Sequence, residues 1–144
     1  MNTKIYKQVH TLAKDLLRAS EYEDQEGFDK CYAQLQQVCE AHEGTAKDHP
    51  VQWETLADFT EDLALAVTVY DKALVKAEAI NSVDFCCSIG YSTATMKIEL
   101  GDEEGAIACL EKAKIVSCGD IEDKNLKAEI HDLLTELKAP KSTI

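Results

Sequence analysis

Proline and glycine are scarce in this chain of 144 residues, at two and six. Both residues interrupt helices, so their scarcity leaves long helices open. Runs of β-branched and aromatic residues are missing as well, and aromatics make up 6% of the chain, which argues against a sheet. The longest apolar run is Leu63–Val67. A membrane-crossing helix needs about 20 apolar residues, so no membrane partner is expected. Met1–Leu12 lacks the apolar core of a secretory leader, so the cytoplasm is the expected compartment.

Positive charge is in short supply. Fifteen bases, only one of them arginine (Arg18), face 27 acids, for a net charge of −12. Nucleic-acid binding relies on basic surface and is not expected. An anionic membrane would repel this chain, whereas a basic protein or peptide would be drawn to it.

Chemical machinery is missing too. No glycine-rich loop could cradle a phosphate. Six cysteines, at 31, 39, 86, 87, 109 and 118, lie in an acid-rich chain, which does not favour a thiolate nucleophile. They read as reduced thiols and small core filler, with Cys86 and Cys87 on different helix faces. Cys39 and His42 are one helical turn apart, with Cys31 two turns earlier, but no second pair has zinc-site spacing. Asp58 and Glu61 fall on exposed helical faces, where no apolar pocket is expected. Neither enzyme activity, cofactor nor metal is expected.

What is present is helical periodicity, and the expected fold class is all-α. Ile5, Val9, Leu12, Leu16 and Ala19 mark a first helix from Lys4 to about Ser20. Phe28, Cys31, Leu35, Val38 and Cys39 mark a second, to about Ala41. The polar stretch His42–His49 reads as a loop, and Pro50 suits the first turn of a short third helix to Phe59. There Trp53, Leu56 and Phe59 share one side, and Glu54, Asp58 and Glu61 another. Thr60–Asp62 is read as a break because of the repeat described below, although a continuous helix from Pro50 to Ile80 is the alternative.

A fourth helix spans about Glu61–Glu78. Ser82 is the expected cap of a fifth, Val83–Leu100, in which Gly90 and Ala94 admit a close neighbour. Asp102 should cap a sixth, with Gly119 ending it. Asp120 should cap a seventh, to about Lys138, with Leu126, Ile130, Leu133, Leu134 and Leu137 on its apolar face. Residues 1–138 then form a single domain, followed by a flexible tail to Ile144.

The even-numbered helices repeat one another. Aligned on Cys31, Ala66 and Ala106, they bring Leu35, Tyr70 and Leu110 together, then Val38, Ala73 and Ala113. The dipeptide Lys72-Ala73 recurs as Lys112-Ala113. The offsets, 35 and 40 residues, signal stacked helix pairs.

With Gly101, Asp102, Ala106, Ile107, Leu110, Lys112 and Ala113, the chain resembles the tetratricopeptide repeat family, with Glu103 in place of an aromatic. The resemblance covers about Lys4–Gly119. It implies about three helix pairs in a short right-handed superhelix, closed by a C-terminal capping helix. It also implies that the first helix of each pair lines a concave groove for a peptide. By position, the groove residues would be Asp48, Gln52, Thr55, Asp58 and Phe59, then Tyr91, Thr95, Ile98 and Glu99. Acids would steer a basic segment, while Phe59 and Tyr91 anchor apolar groups. A carboxylate ligand would be repelled there, which argues against the family's clamps for chaperone tails.

The expected function is therefore a non-catalytic protein-interaction module, an adaptor or scaffold, acting as a monomer or homodimer. A small acidic bacterial chaperone for a secreted protein is one alternative. Self-association through the Leu126–Leu137 face is another.

Overall fold

The computed structural model describes residues 2–119 and 121–140, which form helices without strands. The helices are α1 (Thr3–Glu21), α2 (Gln25–His42), α3 (Pro50–Asp58), α4 (Leu63–Ala79), α5 (Val83–Glu99), α6 (Glu103–Val116) and α7 (Lys124–Lys138). The fold is all-α.

Each helix starts on a side-chain cap. Asn2, Asp24, Asp62, Ser82, Asp102 and Asp123 each accept a hydrogen bond from the backbone N–H three residues on. In α3 the cap is His49, whose Nδ1 accepts from Val51 N, and Pro50 takes the first position. Asp62 and Thr60 confirm the break before α4. Thr60 Oγ1 turns back to Leu56 O at 2.8 Å and Asp62 starts the next helix.

Three turns between helices are built alike. Glu23, Asn81 and Gly101 take left-handed φ angles of 54°, 54° and 82°. The N–H that follows each one bonds a carbonyl five residues back: Asp24 to Ala19, Ser82 to Ala77, and Asp102 to Lys97. This bond satisfies the last carbonyls of one helix. The residue that donates it is also the N-cap of the next helix, so three residues suffice to reverse the chain.

The C-terminal region differs from expectation. Helix α6 ends at Val116 with a right-handed Ser117, and Gly119 is not among the left-handed residues, so it does not act as the helix-ending glycine. Helix α7 is capped by Asp123. The expected cap Asp120 and the tail residues 141–144 lie outside the described residues.

Every helix packs against its neighbours in the chain. The odd-numbered helices also touch one another in series, whereas the even-numbered ones do not. The odd helices thus form one layer and the even helices another. Capping fixes the register of the even layer. Four, eight and eleven residues after Asp62 and Asp102, α4 buries Ala66, Tyr70 and Ala73, and α6 buries Ala106, Leu110 and Ala113. The same count from Asp24 gives Phe28, Tyr32 and Leu35. Phe28, rather than Cys31, is therefore the counterpart of Ala66 and Ala106, and its size hides the match in the sequence.

Buried side chains form two clusters. The first runs from Ile5 to Ala77 across α1–α4 and takes Ile89 from α5. The second joins Cys87 and Ala94 of α5 to Ala106, Leu110, Ala113, Ile121, Ile130 and Leu134. Helix α5 is the wall between them. A Cβ at Gly90 would stand 3.2 Å from Ala113 Cβ, so this glycine admits α6. The apolar face of α7 turns into the second cluster, with Ile130 and Leu134 buried and Leu126, Leu133 and Leu137 half-buried against it. The chain itself covers the face considered for self-association.

The cysteines are free thiols. Cys39 and Cys87 are buried, Cys31, Cys86 and Cys109 are half-buried, and Cys118 is exposed. Burial pushes the Cys39 thiol up to about 12 and the Cys87 thiol up to about 11. Such thiols are poor nucleophiles and serve as packing. Cys86 packs against the first cluster and Cys87 lies in the second, on different faces of α5.

Candidate functional site

Helix α3 is short, and its ends are what place functional groups. Trp53, Leu56 and Ala57 turn into the core. Glu54 and Asp58, one turn apart, share another side. Each opens onto a different cleft.

The first cleft, about 510 Å³, lies between the α1–α2 turn and the α3–α4 turn. Its apolar floor includes Phe28 and Phe59, whose rings meet edge to face with centroids 6.4 Å apart. Four carboxylates line it: Glu23, Asp24, Asp58 and Glu61. Asp58 accepts a hydrogen bond from the Tyr70 hydroxyl, and Glu61 Oε1 accepts one from Gln25 Nε2 at 3.3 Å. Tyr32 and Thr60 join their hydroxyls at 2.8 Å, which ties α2 to the α3–α4 turn. Asp58 and Glu61 are exposed, as expected, but they border an apolar floor, contrary to the expectation that no apolar pocket lies beside them. That floor depends on Phe28, thirty residues earlier than Asp58, so local spacing could not reveal it.

The second cleft, about 230 Å³, is lined by Glu54, Asp84, Phe85, Ser88, Glu122, Asp123 and Leu126. The Ser88 hydroxyl donates to Glu54 Oε2 at 2.7 Å, and Glu122 N donates to Asp84 Oδ1 at 2.9 Å. Among the described residues no three His, Cys, Asp or Glu side chains converge tightly enough to hold a metal ion.

Burial pushes the Glu54 carboxyl up to about 7, assisted by the Asp58 charge and opposed by the Ser88 hydrogen bond. The unfolded value is near 4.5. Between these values the folded state holds the proton more tightly. The stabilisation is therefore complete below 4.5 and lost as pH rises through 7. Glu54→Gln keeps the shape and removes the buried charge. It should stabilise the protein by about 1–3 kcal/mol at pH 8 and change little near pH 4. Urea midpoints at the two pH values would check this; parallel pH slopes for the two proteins would rule out the buried charge as the cause.

Not every residue expected in a groove is available. Gln52 is 2% exposed; its Nε2 donates to Lys47 O at 2.9 Å, so it braces the loop and faces no groove. Asp48 is engaged within the chain. It accepts from Gly44 N at 3.0 Å and Trp53 Nε1 at 2.9 Å, and pairs with Lys76 Nζ at 2.9 Å. Burial opposes the Asp48 carboxylate, but these donors outweigh it and hold its pKa below the usual range. The half-buried Thr55 donates back to Val51 O. Asp58 and Phe59 meet in the first cleft. Tyr91 and Ile98 pack against the second core cluster, Thr95 bonds Ser92 O, and Glu99 is exposed at the end of α5. None of these four lines either cleft.

Glu54, Asp84 and Ser88 were missed as site residues. The signal for Glu54 was its spacing of four from Asp58. Nothing local pointed to Asp84 or Ser88, which reach the cleft because α5 packs beside α3 and α7.

Among the described residues no helix is long and apolar enough to cross a membrane. No family model, curated protein or solved structure matches the chain.

Proposed function

We propose that this chain is a non-catalytic protein-interaction module that binds a basic segment of a partner along α3 and its neighbours. The observation that carries this reading is the pair of clefts on one side of α3. Asp58 opens onto one and Glu54 onto the other, and each cleft collects four carboxylates around an apolar floor or wall. An extended basic segment laid along α3 would meet both. Acids at a rim speed encounter and select by charge, while apolar groups beneath them supply contact area.

The layered packing supports reading α1–α6 as three tetratricopeptide-like pairs in a right-handed superhelix, with α7 as the cap. In that reading the odd-numbered layer is the concave side; the second cleft draws on α3, α5 and α7, whereas the first lies at its edge, between the α1–α2 and α3–α4 turns. The matching buried positions of α4 and α6 favour this assignment.

The test is a pull-down at two salt concentrations with the wild-type chain and with Glu61→Lys combined with Glu122→Lys. Both residues are exposed, one in each cleft, so the variant should keep its helical circular dichroism. A partner released by salt and lost to the variant is the expected result. Equal capture by the two proteins would defeat the reading.

A further inference from the structure

Trp53 shows how this protein holds a cation. Lys72 Nζ stands 4.5 Å from the centre of its ring and Lys76 Nζ 5.8 Å. Carboxylates complete the arrangement. Glu43 pairs with Lys72 at 3.0 Å and with Lys76 at 3.5 Å, and Asp48 pairs with Lys76 at 2.9 Å. An aromatic face flanked by acids is thus filled by the chain's own ammonium groups.

Among the described residues, the first cleft has the same ingredients without an internal cation. Phe28 and Phe59 line it, the carboxylates of Glu23, Asp24, Asp58 and Glu61 surround them, and its lining includes no Lys, Arg or His. Arg18 lines a neighbouring cleft on the other side of Asp24, together with Asp15 and Tyr22. Asp58 and Glu61 each use one oxygen, Oδ1 and Oε1, for the reported hydrogen bonds to Tyr70 and Gln25. The second oxygen of each is left for a ligand.

We propose that this cleft is a subsite for a guanidinium group, an arginine side chain of the bound segment, set against Phe28 and Phe59 and paired with Asp58 and Glu61. The proposal rests on the acidic-face reading above and names the residue that the face selects. A planar guanidinium can stack on an aromatic ring and still give parallel N–H groups to carboxylates. It is also less strongly hydrated than an ammonium, so it loses less on entering a cleft with an apolar floor. The cleft, about 510 Å³, has room for the whole side chain. Asp58 is exposed as a residue, but partial desolvation lifts its carboxyl above the ordinary range, against the Tyr70 hydrogen bond, and a cation beside it would lower it again.

The experiment is a titration of the full ¹⁵N-labelled chain with Nα-acetyl-arginine amide, its lysine counterpart and its neutral citrulline counterpart. Saturable shifts should appear at Gln25 and at residues 58–61, with arginine bound more tightly than lysine and citrulline failing to bind. Glu61→Gln, an exposed change, should weaken arginine about fivefold, as expected for loss of about 1 kcal/mol of charge-assisted hydrogen bonding. Phe59→Leu keeps an apolar floor but removes the ring face, and should weaken arginine by about two- to fivefold.

Shifts scattered over all exposed acids, equal response to citrulline, or lysine binding as well as arginine would each overturn the proposal. Failure of the wider reading looks different. The cleft would then still take arginine amide while the Glu61→Lys, Glu122→Lys protein captured partners unchanged.

Discussion

Leu110→Ala should cost about 2–5 kcal/mol, the range for a fully buried leucine cut back to alanine. For a chain of this size that is a fall in Tm of roughly 10 °C or more. Leu110 is 0% exposed and belongs to the smaller of the two clusters. Three of its cluster, Ala94, Ala106 and Ala113, are small, beside the branched Ile121, Ile130 and Leu134, and among the described residues the cluster has eight buried members in all. A cluster this small has few side chains to move into a vacated space, so the cavity should stay open and the cost should fall in the upper half of the range. The same truncation at Leu35 lies in the larger cluster, where Phe28, Trp53 and Tyr70 add bulk that can shift, and should cost less. Thermal melts of both variants would check the order. A smaller loss at Leu110 than at Leu35 would mean that α6 and α7 close over the gap.

Asp48→Ala should be the most damaging change to a charged residue. The carboxylate joins the loop before α3 to α4 through Gly44, Trp53 and Lys76. Its side chain is 10% exposed and that of Lys76 is 20% exposed. Removing it leaves an indole N–H without its acceptor and an ammonium without its closest partner. Loss of a half-buried pair and a half-buried hydrogen bond together should cost about 2–4 kcal/mol. Trp53 is the only tryptophan, so its emission reports directly on this corner. A red shift with loss of stability is expected. The folded-state pKa of Asp48 is depressed, so its contribution is present above the ordinary aspartate range and fades as pH falls through the depressed value. The gap between wild type and Asp48→Ala should therefore close in acid. A gap that persists unchanged in strong acid would mean that packing, rather than the carboxylate, carries the effect.

Much of the architecture was legible because it is local. Ser82 and Asp102 announce helix starts, Pro50 marks the first turn of α3, and the apolar spacing of each helix shows its inner face. The break at Thr60–Asp62 has no glycine or proline, yet the repeat located it. The clefts were legible only in part. Asp58 and Phe59 were singled out by position, but the floor under them comes from Phe28, and Glu23 and Asp24 arrive through the left-handed turn at Glu23. Gln52 and Asp48 were misplaced for a related reason. Both serve a loop whose partners, Lys47 O close by and Lys76 a helix away, are set by how that loop folds over Trp53. A helical-face argument sees side chains one turn apart and cannot see a loop closing on them.

The succession of short reversals has a consequence for how the molecule assembles. Contacts lie mainly between elements adjacent in the chain, so little entropy is spent closing long loops before packing begins to repay it. Helices α1–α4 supply all but one of the buried residues in the first cluster, the exception being Ile89. During synthesis that half can consolidate as soon as α5 has emerged, and α5 then presents a ready surface on which α6 and α7 condense. The order of the helices along the chain is thus also a workable order of folding.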